Sequence, residues 1–358
     1  MEKFLWITLI VVFFLCAPPF SGAQCVKNPV IFNFGDSNSD TGGYAAVYGN
    51  SYSAPNGRSY FGEDSTRMCD GRLIIDFLCV SLKADYLSSY LECLESNFTN
   101  GVNFAVVGSK TVSTNPLFTL STQVNQFKRF RKFSLKLHSE GMLSQVDFAG
   151  ALYTIDIGQN DLFGAFTENK LSVPEVMANI PSFISEIKTA IEKIYELGGR
   201  NFWVHNTGPL GCLPNMLANG SRINVPADYD QMGCLIHLNE VANEFNTRLG
   251  KLCELMRSEL NESVIVYVDM YTIKYNVISN YALYGFESPL MACCGGGGPP
   301  YNANVWCRLK GSNLCEKEKR YISWDGIHYT ERANTIFAAQ IASRNYSTPR
   351  LEFDYFCS

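Results

Sequence analysis

The sequence predicts a three-layer α/β fold, with helices covering both faces of a central parallel sheet. Three features predict it: five short apolar runs rich in β-branched and aromatic residues, long amphipathic stretches between the later ones, and an order in which strand and helix alternate. Strands joined by helical crossovers pair in parallel and are covered on both sides, so they read as nearly continuous hydrophobic runs.

The first run, residues 29–34 ("PVIFNF"), ends at Gly35. The second, 102–107 ("VNFAVV"), lies between Gly101 and Gly108, and the third, 151–157 ("ALYTIDI"), is closed by Gly158. A helix follows over 174–197: Val176, Ile180, Phe183, Ile184, Ile187, Ile191, Ile194 and Tyr195 form one stripe, and Gly198-Gly199 stops it. Pro181 is expected to kink or split that helix near its start. The fourth strand is 202–205 ("FWVH"); a second striped helix over 233–260 carries Leu235, Leu238, Val241, Ala242, Phe245 and Leu249. The fifth strand is 264–270 ("VIVYVDM"), and a last helix covers 330–343. The "GGGGPP" stretch at 295–300 reads as a loop within the domain, because helical material resumes beyond it. No repeat or linker divides the chain, so residues 24–358 are expected to form one domain.

Composition narrows the function. A hydrophobic fraction of 46% against 18% charged residues provides for a buried core and excludes a disordered chain. A net charge of -5 and a pI near 5.5 argue against a nucleic-acid partner, and the basic stretch 128–136 ("KRFRKFSLK") reads as a solvated helix face.

The N-terminus reads as a signal peptide over residues 1–23. Lys3 precedes an apolar run over 4–17, Pro18 and Pro19 end it, and Ser21-Gly22-Ala23 offers a cleavage site after Ala23. The run is shorter than the ~20 residues a membrane span needs, so a secreted protein without a membrane span is expected. Removing Cys16 with the signal leaves an even number of cysteines, which an oxidising compartment lets pair. Cys212 with Cys234, and the group Cys293, Cys294, Cys307 and Cys315, are spaced for local staples. A zinc site in that group lacks a nearby histidine and paired C-x-x-C spacing, so no metal is expected. Asn97, Asn219, Asn261 and Asn345 begin sequons for N-glycosylation.

Ligands of open α/β sheets bind at the carboxyl ends of the strands. The first strand runs into Gly35-Asp36-Ser37-Asn38-Ser39-Asp40, which sets Ser37 at the sheet's upper edge as a possible nucleophile. The competing role for Asp36 or Ser37 is to cap the next helix. A nucleophilic serine needs a base, and the chain has four histidines. His138 lies in a basic polar stretch, His237 inside an amphipathic helix, and His205 at a strand end. Only His328 has a carboxylate close by in a turn: in Asp325-Gly326-Ile327-His328 the carboxylate can fold back onto Nδ1 and fix the tautomer. The competing role for Asp325 is again a helix cap. Gly108 and Asn160, each following a strand, offer a backbone N–H and a side-chain amide to an oxyanion, though either is also ordinary turn chemistry.

Taken together, "FGDSNSDTGG" (34–43), "GVNFAVVGS" (101–109), "IGQND" (157–161) and "WDGIHYTERAN" (324–334) resemble, in order and over nearly the whole chain, the plant GDSL-type esterase/lipases of the SGNH hydrolase superfamily. "DGRLIIDFL" (70–78), "HNTGPLGCLP" (205–214) and "CCGGGG" (293–298) match the same branch. The resemblance implies a flavodoxin-like αβα sandwich and no cofactor. It also implies Ser37 as nucleophile and oxyanion donor, Gly108 and Asn160 as the other donors, His328 as base and Asp325 as its partner. Three departures are local: Asn38 replaces leucine, Met68 and Cys69 stand in "RMCDGR", and β-branched Val107 precedes the oxyanion glycine. The implied substrate is an acyl ester of a small molecule or polysaccharide, with short acyl groups such as acetyl, met at the cell wall or apoplast. A lipase or acyltransferase using the same site, and a catalytically silent extracellular binding protein, remain the alternatives.

Overall fold

Strand β1 (Ile31–Gly35) is the pivot of the sheet in this computed structural model, which describes residues 29–49, 54–62, 65–94, 96–112, 118–317 and 319–357. The expected signal peptide lies outside the described residues. β1 pairs in parallel with β2 (Gly101–Asn103) on one side and β3 (Leu152–Asp156) on the other, Ile31 facing both Gly101 and Leu152. β4 (Asn201–His205) and β5 (Val264–Val268) continue in parallel beyond β3. The order β2-β1-β3-β4-β5 is the flavodoxin-like one, and it reverses direction between β1 and β3.

Ten helices are described: α1 (Gly43–Tyr48), α2 (Ile74–Ser81), α3 (Leu120–Lys136), α4 (Gln145–Gly150), α5 (Gln159–Thr167), α6 (Val173–Glu196), α7 (Pro214–Ala218), α8 (Ile236–Glu259), α9 (Met270–Ser279) and α10 (Glu331–Ala342). α3, α6 and α8 pack side by side, as do α2, α10 and α9, giving the two outer layers. Two small pairs lie outside the main sheet: β6 (Ser288–Ala292) with β9 (Tyr321–Ser323), and β7 (Cys294–Gly295) with β8 (Asn313–Leu314). β10 (Ser347–Thr348) closes the sheet antiparallel to β5.

Alternation along β1 divides its neighbours. Phe32 stacks on Phe148 and meets Phe127 of α3 edge-on, with centroids 5.3 and 5.1 Å apart. Asn33, pointing the other way, makes a buried polar ladder: its amide donates to Asn103 Oδ1 (2.8 Å) and Ser39 Oγ (3.0 Å), and Thr154 Oγ1 donates to Asn33 Oδ1 (2.7 Å). Losing one member would leave buried partners unsatisfied, so the ladder fixes the loop after β1 to three strands.

Several expectations need correction. α6 runs through Pro181 as one helix, because the stripe from Val176 to Ile194 stays buried on both sides of the proline. The ladder of β2 ends at Asn103, although Phe104 and Val106 still donate to the carbonyls of Asn33 and Gly35. The fifth run stops at Val268, since Asp269 accepts the Thr272 N–H and caps α9. Disulfides join Cys212 to Cys234, Cys293 to Cys315 and Cys294 to Cys307. General pairing does not extend to Cys69, Cys79 and Cys253, which are free thiols buried in the core. Among the described residues no helix is long and apolar enough to cross a membrane.

Candidate active site

The turn after β1 is held from several sides. Gln123 of α3 accepts from Gly35 N (2.9 Å) and donates to Gly35 O (2.8 Å) and Ser109 Oγ (3.0 Å), so one amide ties the end of β1 to the segment beyond β2. Gly35 is required by close approach: a Cβ there would meet the Asp156 carbonyl oxygen and Ser39 Oγ. Asp36 accepts from Asn38 N (2.9 Å), and Asp40 accepts from the N–H groups of Gly42, Gly43, Tyr44 and Val107. Neither Asp36 nor Ser37 caps α1, whose N-cap is Gly42.

Ser37 is 3% exposed and His328 6%, yet 291 positions separate them in the chain; their side chains meet with Oγ and Nε2 2.7 Å apart. On the other side of the ring, Nδ1 lies 2.6 Å from Asp325 Oδ2. With Nδ1–H donating to the carboxylate, Nε2 is left to accept the serine hydroxyl proton. The turn that carries this pair is closed on itself: Asp325 Oδ1 accepts from Ile327 N (3.0 Å) and His328 N (2.8 Å), and Trp324 N donates to His328 O (2.7 Å). Gly326 takes φ +99°, a left-handed conformation, and donates to Ser323 Oγ (3.0 Å). The capping role proposed for Asp325 belongs instead to Thr330, whose side chain accepts the Ala333 N–H at the start of α10.

Asn160 is the second residue of α5, directly after β3. Its amide donates to Asp36 Oδ2 (3.3 Å) and to Ser109 O (3.1 Å). It therefore bridges the residue before Ser37 and the residue after Gly108, bringing the three nominated oxyanion donors to one place. Gly108 is exposed there.

Electrostatics sharpen the picture. Burial works against charge on Asp325, but the facing His328 and the turn's N–H groups outweigh it and hold the carboxyl below its ordinary value. Burial likewise disfavours protonated His328, yet Asp325, with help from Asp36, raises its pKa above 6.5. Beneath this pair lies a cluster of ionisable side chains that the sequence reading did not nominate: Asp36, Asp156, Lys274 and His205. His205 Nδ1 is 3.6 Å from Asp156 Oδ2, and Lys274 Nζ sits 4.5 Å over the Tyr329 ring. Burial and the Asp156 charge push Asp36 up to about 7. Asp156 itself is held low despite burial, through His205 and Lys274, and burial lowers the Lys274 pKa. The one signal available was Asp156, a charge ending an apolar strand, paired in register with His205.

The remaining histidines lie elsewhere. His138 is exposed, and His237 bridges Asp228 (3.0 Å) and Glu240 (2.9 Å) at the surface. Among the described residues no three His, Cys, Asp or Glu side chains converge as metal ligands. A cavity of about 490 Å³ opens beside the 325–328 turn, between Phe163, Asn215, Ala303 and Trp306. A larger one of about 560 Å³ reaches Arg58, Thr330 and Glu331, and neither cavity is lined by Ser37, Asn160 or His328.

Comparison with known proteins places the chain in a family. The model of the GDSL-like Lipase/Acylhydrolase family matches residues 31–341. GDSL esterase/lipase LIP-4 of Arabidopsis thaliana is 49% identical over 365 residues, covering 99% of this chain and 96% of the relative. Alpha-L-fucosidase 3 of the same plant is 41% identical over 350 residues, covering 91% and 93%. Among solved structures, the acetylxylan esterase Axe2 of Geobacillus stearothermophilus, in a catalytic mutant form, matches with a TM-score of 0.40 at 13% identity, covering 88% of this chain and 94% of its own. With the family model spanning most of its length and a close relative aligned almost end to end, the chain belongs to the GDSL-like lipase/acylhydrolase family and is a carboxylic ester hydrolase.

Proposed function

We infer that the protein is a secreted serine hydrolase of short acyl esters, acetyl esters foremost, and that Ser37, His328 and Asp325 carry out the reaction. The observation that supports this most is the 2.7 Å contact between Ser37 Oγ and His328 Nε2, backed by the 2.6 Å contact of Nδ1 with Asp325. Ser37 Oγ attacks the ester carbonyl as His328 takes its proton; Asp325 stabilises the imidazolium. The imidazolium then protonates the leaving alcohol. Water attacks the acyl-serine with His328 again as base, releasing the acid and restoring Ser37.

The tetrahedral oxyanion is received by the N–H groups of Ser37 and Gly108 and by the Asn160 amide. The longer of Asn160's two bonds, 3.3 Å to Asp36, is the one the oxyanion replaces. Extracellular residence is supported by the signal-like N-terminus, the three disulfides, and the exposure of Asn97, Asn261 and Asn345 in their sequons. Residues 24–358 act as one catalytic domain.

The name of one relative raises glycoside cleavage as a second reading. That chemistry needs two carboxyl groups flanking the scissile bond. Asp325 is committed to His328 and two main-chain donors, Asp36 to Asn38 and Asn160, and a serine–imidazole contact has no part in it. Ester hydrolysis is the reading retained.

The test is hydrolysis of p-nitrophenyl acetate by purified Ser37→Ala, alongside an acyl chain-length series on the wild type. Loss of turnover with a preference for the shortest acyl group is expected. Full activity in the variant would overturn the serine mechanism, and a preference for long chains would overturn the acyl specificity.

A further inference from the structure

We propose that the Cys293–Cys315 disulfide is a thiol-exchange site: an anionic low-molecular-weight thiol, drawn into the basic cavity of about 560 Å³ beside it, opens the bond, stays on Cys315 as a mixed disulfide and slows turnover. The exchange does not depend on the serine reading; only its effect on turnover does.

Arg58 is aimed at this bond. Its Nη2 donates to both sulfurs, 3.1 Å from Cys293 Sγ and 3.2 Å from Cys315 Sγ, and its Nη1 donates to Cys315 O (2.9 Å). A neutral sulfur is a weak acceptor, so the guanidinium gains little from the intact bond. It gains much more once one sulfur departs as a thiolate, because donor and acceptor are then both charged. Arg58 thereby stabilises the leaving group, and a better leaving thiolate departs faster. The Cys212–Cys234 bond contrasts with it: both residues are buried, and the donor to Cys212 Sγ is the neutral amide of Asn239 (3.7 Å).

Charge provides the access. Cys293 lines the cavity, and Cys315 is half-buried. Arg58, Lys317, Lys319, Arg320 and Arg332 line it against two carboxylates, Asp70 and Glu331. Both carboxylates are engaged, Glu331 by Arg72 (2.7 Å) and Asp70 by Ser59 Oγ (3.1 Å) and the Glu331 N–H (2.7 Å). Lys319 is met by Glu287 (3.1 Å), and Arg332 donates to Tyr284 O (3.0 Å), while Lys317 and Arg320 stay exposed. Burial and the neighbouring Arg320 charge lower the Arg332 pKa, the sign of like charges crowding. In a chain of net charge -5 this is a local positive field, and it concentrates anionic thiols and their thiolate, the attacking form.

The thiolate attacks Sγ of Cys315, the more exposed of the two residues. A new S–S bond forms to the incoming sulfur as the old one breaks, its electron pair passing to Cys293 Sγ, where Arg58 receives the new thiolate. One thiolate enters and one forms, so no oxidant and no proton is consumed. When the free thiol is withdrawn, Cys293 attacks the mixed disulfide and restores the original bond. The site reaches the 325–328 turn through the backbone: Cys293 N donates to Ser323 O (3.1 Å) and Cys294 N to Trp324 O (2.7 Å), directly before Asp325. Arg58 also lies 5.4 Å over the Trp324 ring. An adduct on Cys315 and a recentred guanidinium disturb these contacts.

The experiment uses the full mature protein, incubated with glutathione, an anion, or cysteamine, a cation, at equal thiolate concentrations. Exchange is trapped with N-ethylmaleimide and mapped by peptide mass spectrometry. Glutathione on Cys315 and maleimide on Cys293 are expected before the other two disulfides open. Glutathione should react on the order of tenfold faster than cysteamine at low salt and lose that advantage at about 1 M KCl. Arg58→Gln should slow glutathione roughly tenfold with an unchanged circular dichroism spectrum; should the variant misfold, the comparison of the two thiols on the wild type still decides. Activity on p-nitrophenyl acetate is expected to fall as the adduct forms and to return after glutathione is removed by gel filtration. Equal rates for the two thiols, or first opening at another disulfide, would overturn the site. Full activity with Cys315 modified would overturn its link to the turn. Failure of the serine reading would show separately, as ester hydrolysis surviving in Ser37→Ala while exchange at Cys315 persists.

Discussion

His328 reaches Ser37 with its Nε2 atom at 2.7 Å while its Nδ1 atom is held by Asp325 at 2.6 Å, so the imidazole is clamped between a hydroxyl and a carboxylate. Both clamping groups sit on backbone that is itself hydrogen-bonded, Ser37 on the turn pinned by Gln123 and Asp325 in a turn closed by its own carboxylate. In the proposed mechanism the ring therefore needs no reorientation to take the hydroxyl proton, and that preorganisation lowers the barrier.

The acidic limb of the pH–rate profile lies high. In the proposed mechanism His328 acts as base only when neutral, and Asp325 raises its pKa above 6.5. On p-nitrophenyl acetate, kcat/KM should rise with pH along a limb centred above 6.5, since this ratio reports the free enzyme. Asp36 contributes to that elevation, so Asp36→Asn should move the limb to lower pH. A limb that stays in place in the variant, or moves upward, contradicts the assignment.

Asp325→Asn keeps the acceptor for Ile327 and His328 N–H groups but presents an amide donor to Nδ1. The imidazole is driven to the wrong tautomer, and kcat should fall on the order of 10⁴-fold. Near-wild-type turnover with a native circular dichroism spectrum would remove Asp325 from the mechanism.

Asn160→Ala removes one of the proposed donors to the developing oxyanion. A loss of about 10²–10³ in kcat with KM little changed is expected, because the bond strengthens only in the transition state. A rise in KM alone would place Asn160 in substrate binding instead.

The three core thiols should be inert in the native protein. Burial pushes the thiol pKa up at Cys69, Cys79 and Cys253, and the thiolate is the reactive form. Iodoacetamide should modify them only after unfolding in guanidinium chloride, with the sites mapped by mass spectrometry. Alkylation of Cys69 in the folded protein would show the 67–72 segment to be open.

The parallel strands were legible because burial on both faces writes each as a continuous apolar run, as at Ile31 to Phe34 and Val264 to Val268. The same rule concealed α9: Asp269 interrupts an apolar run only once, and its capping role depends on Thr272. β6 to β9 were not legible, being short and joined by disulfides and distant backbone bonds. At the site, Ser37 and the Asp325–His328 turn could be nominated because the chemistry asks for a strand-end hydroxyl and a locally supported histidine. The group of Asp36, Asp156, His205 and Lys274 could not, since only strand register and the packing of α9 bring its members together.

The most direct test of the central claim is the mapping of a fluorophosphonate adduct by peptide mass spectrometry on the wild-type protein. The account predicts a single adduct on Ser37, formed as activity on p-nitrophenyl acetate is lost and absent after denaturation. Loss of activity with the adduct on another residue, or an unmodified Ser37 in fully inhibited protein, would contradict it.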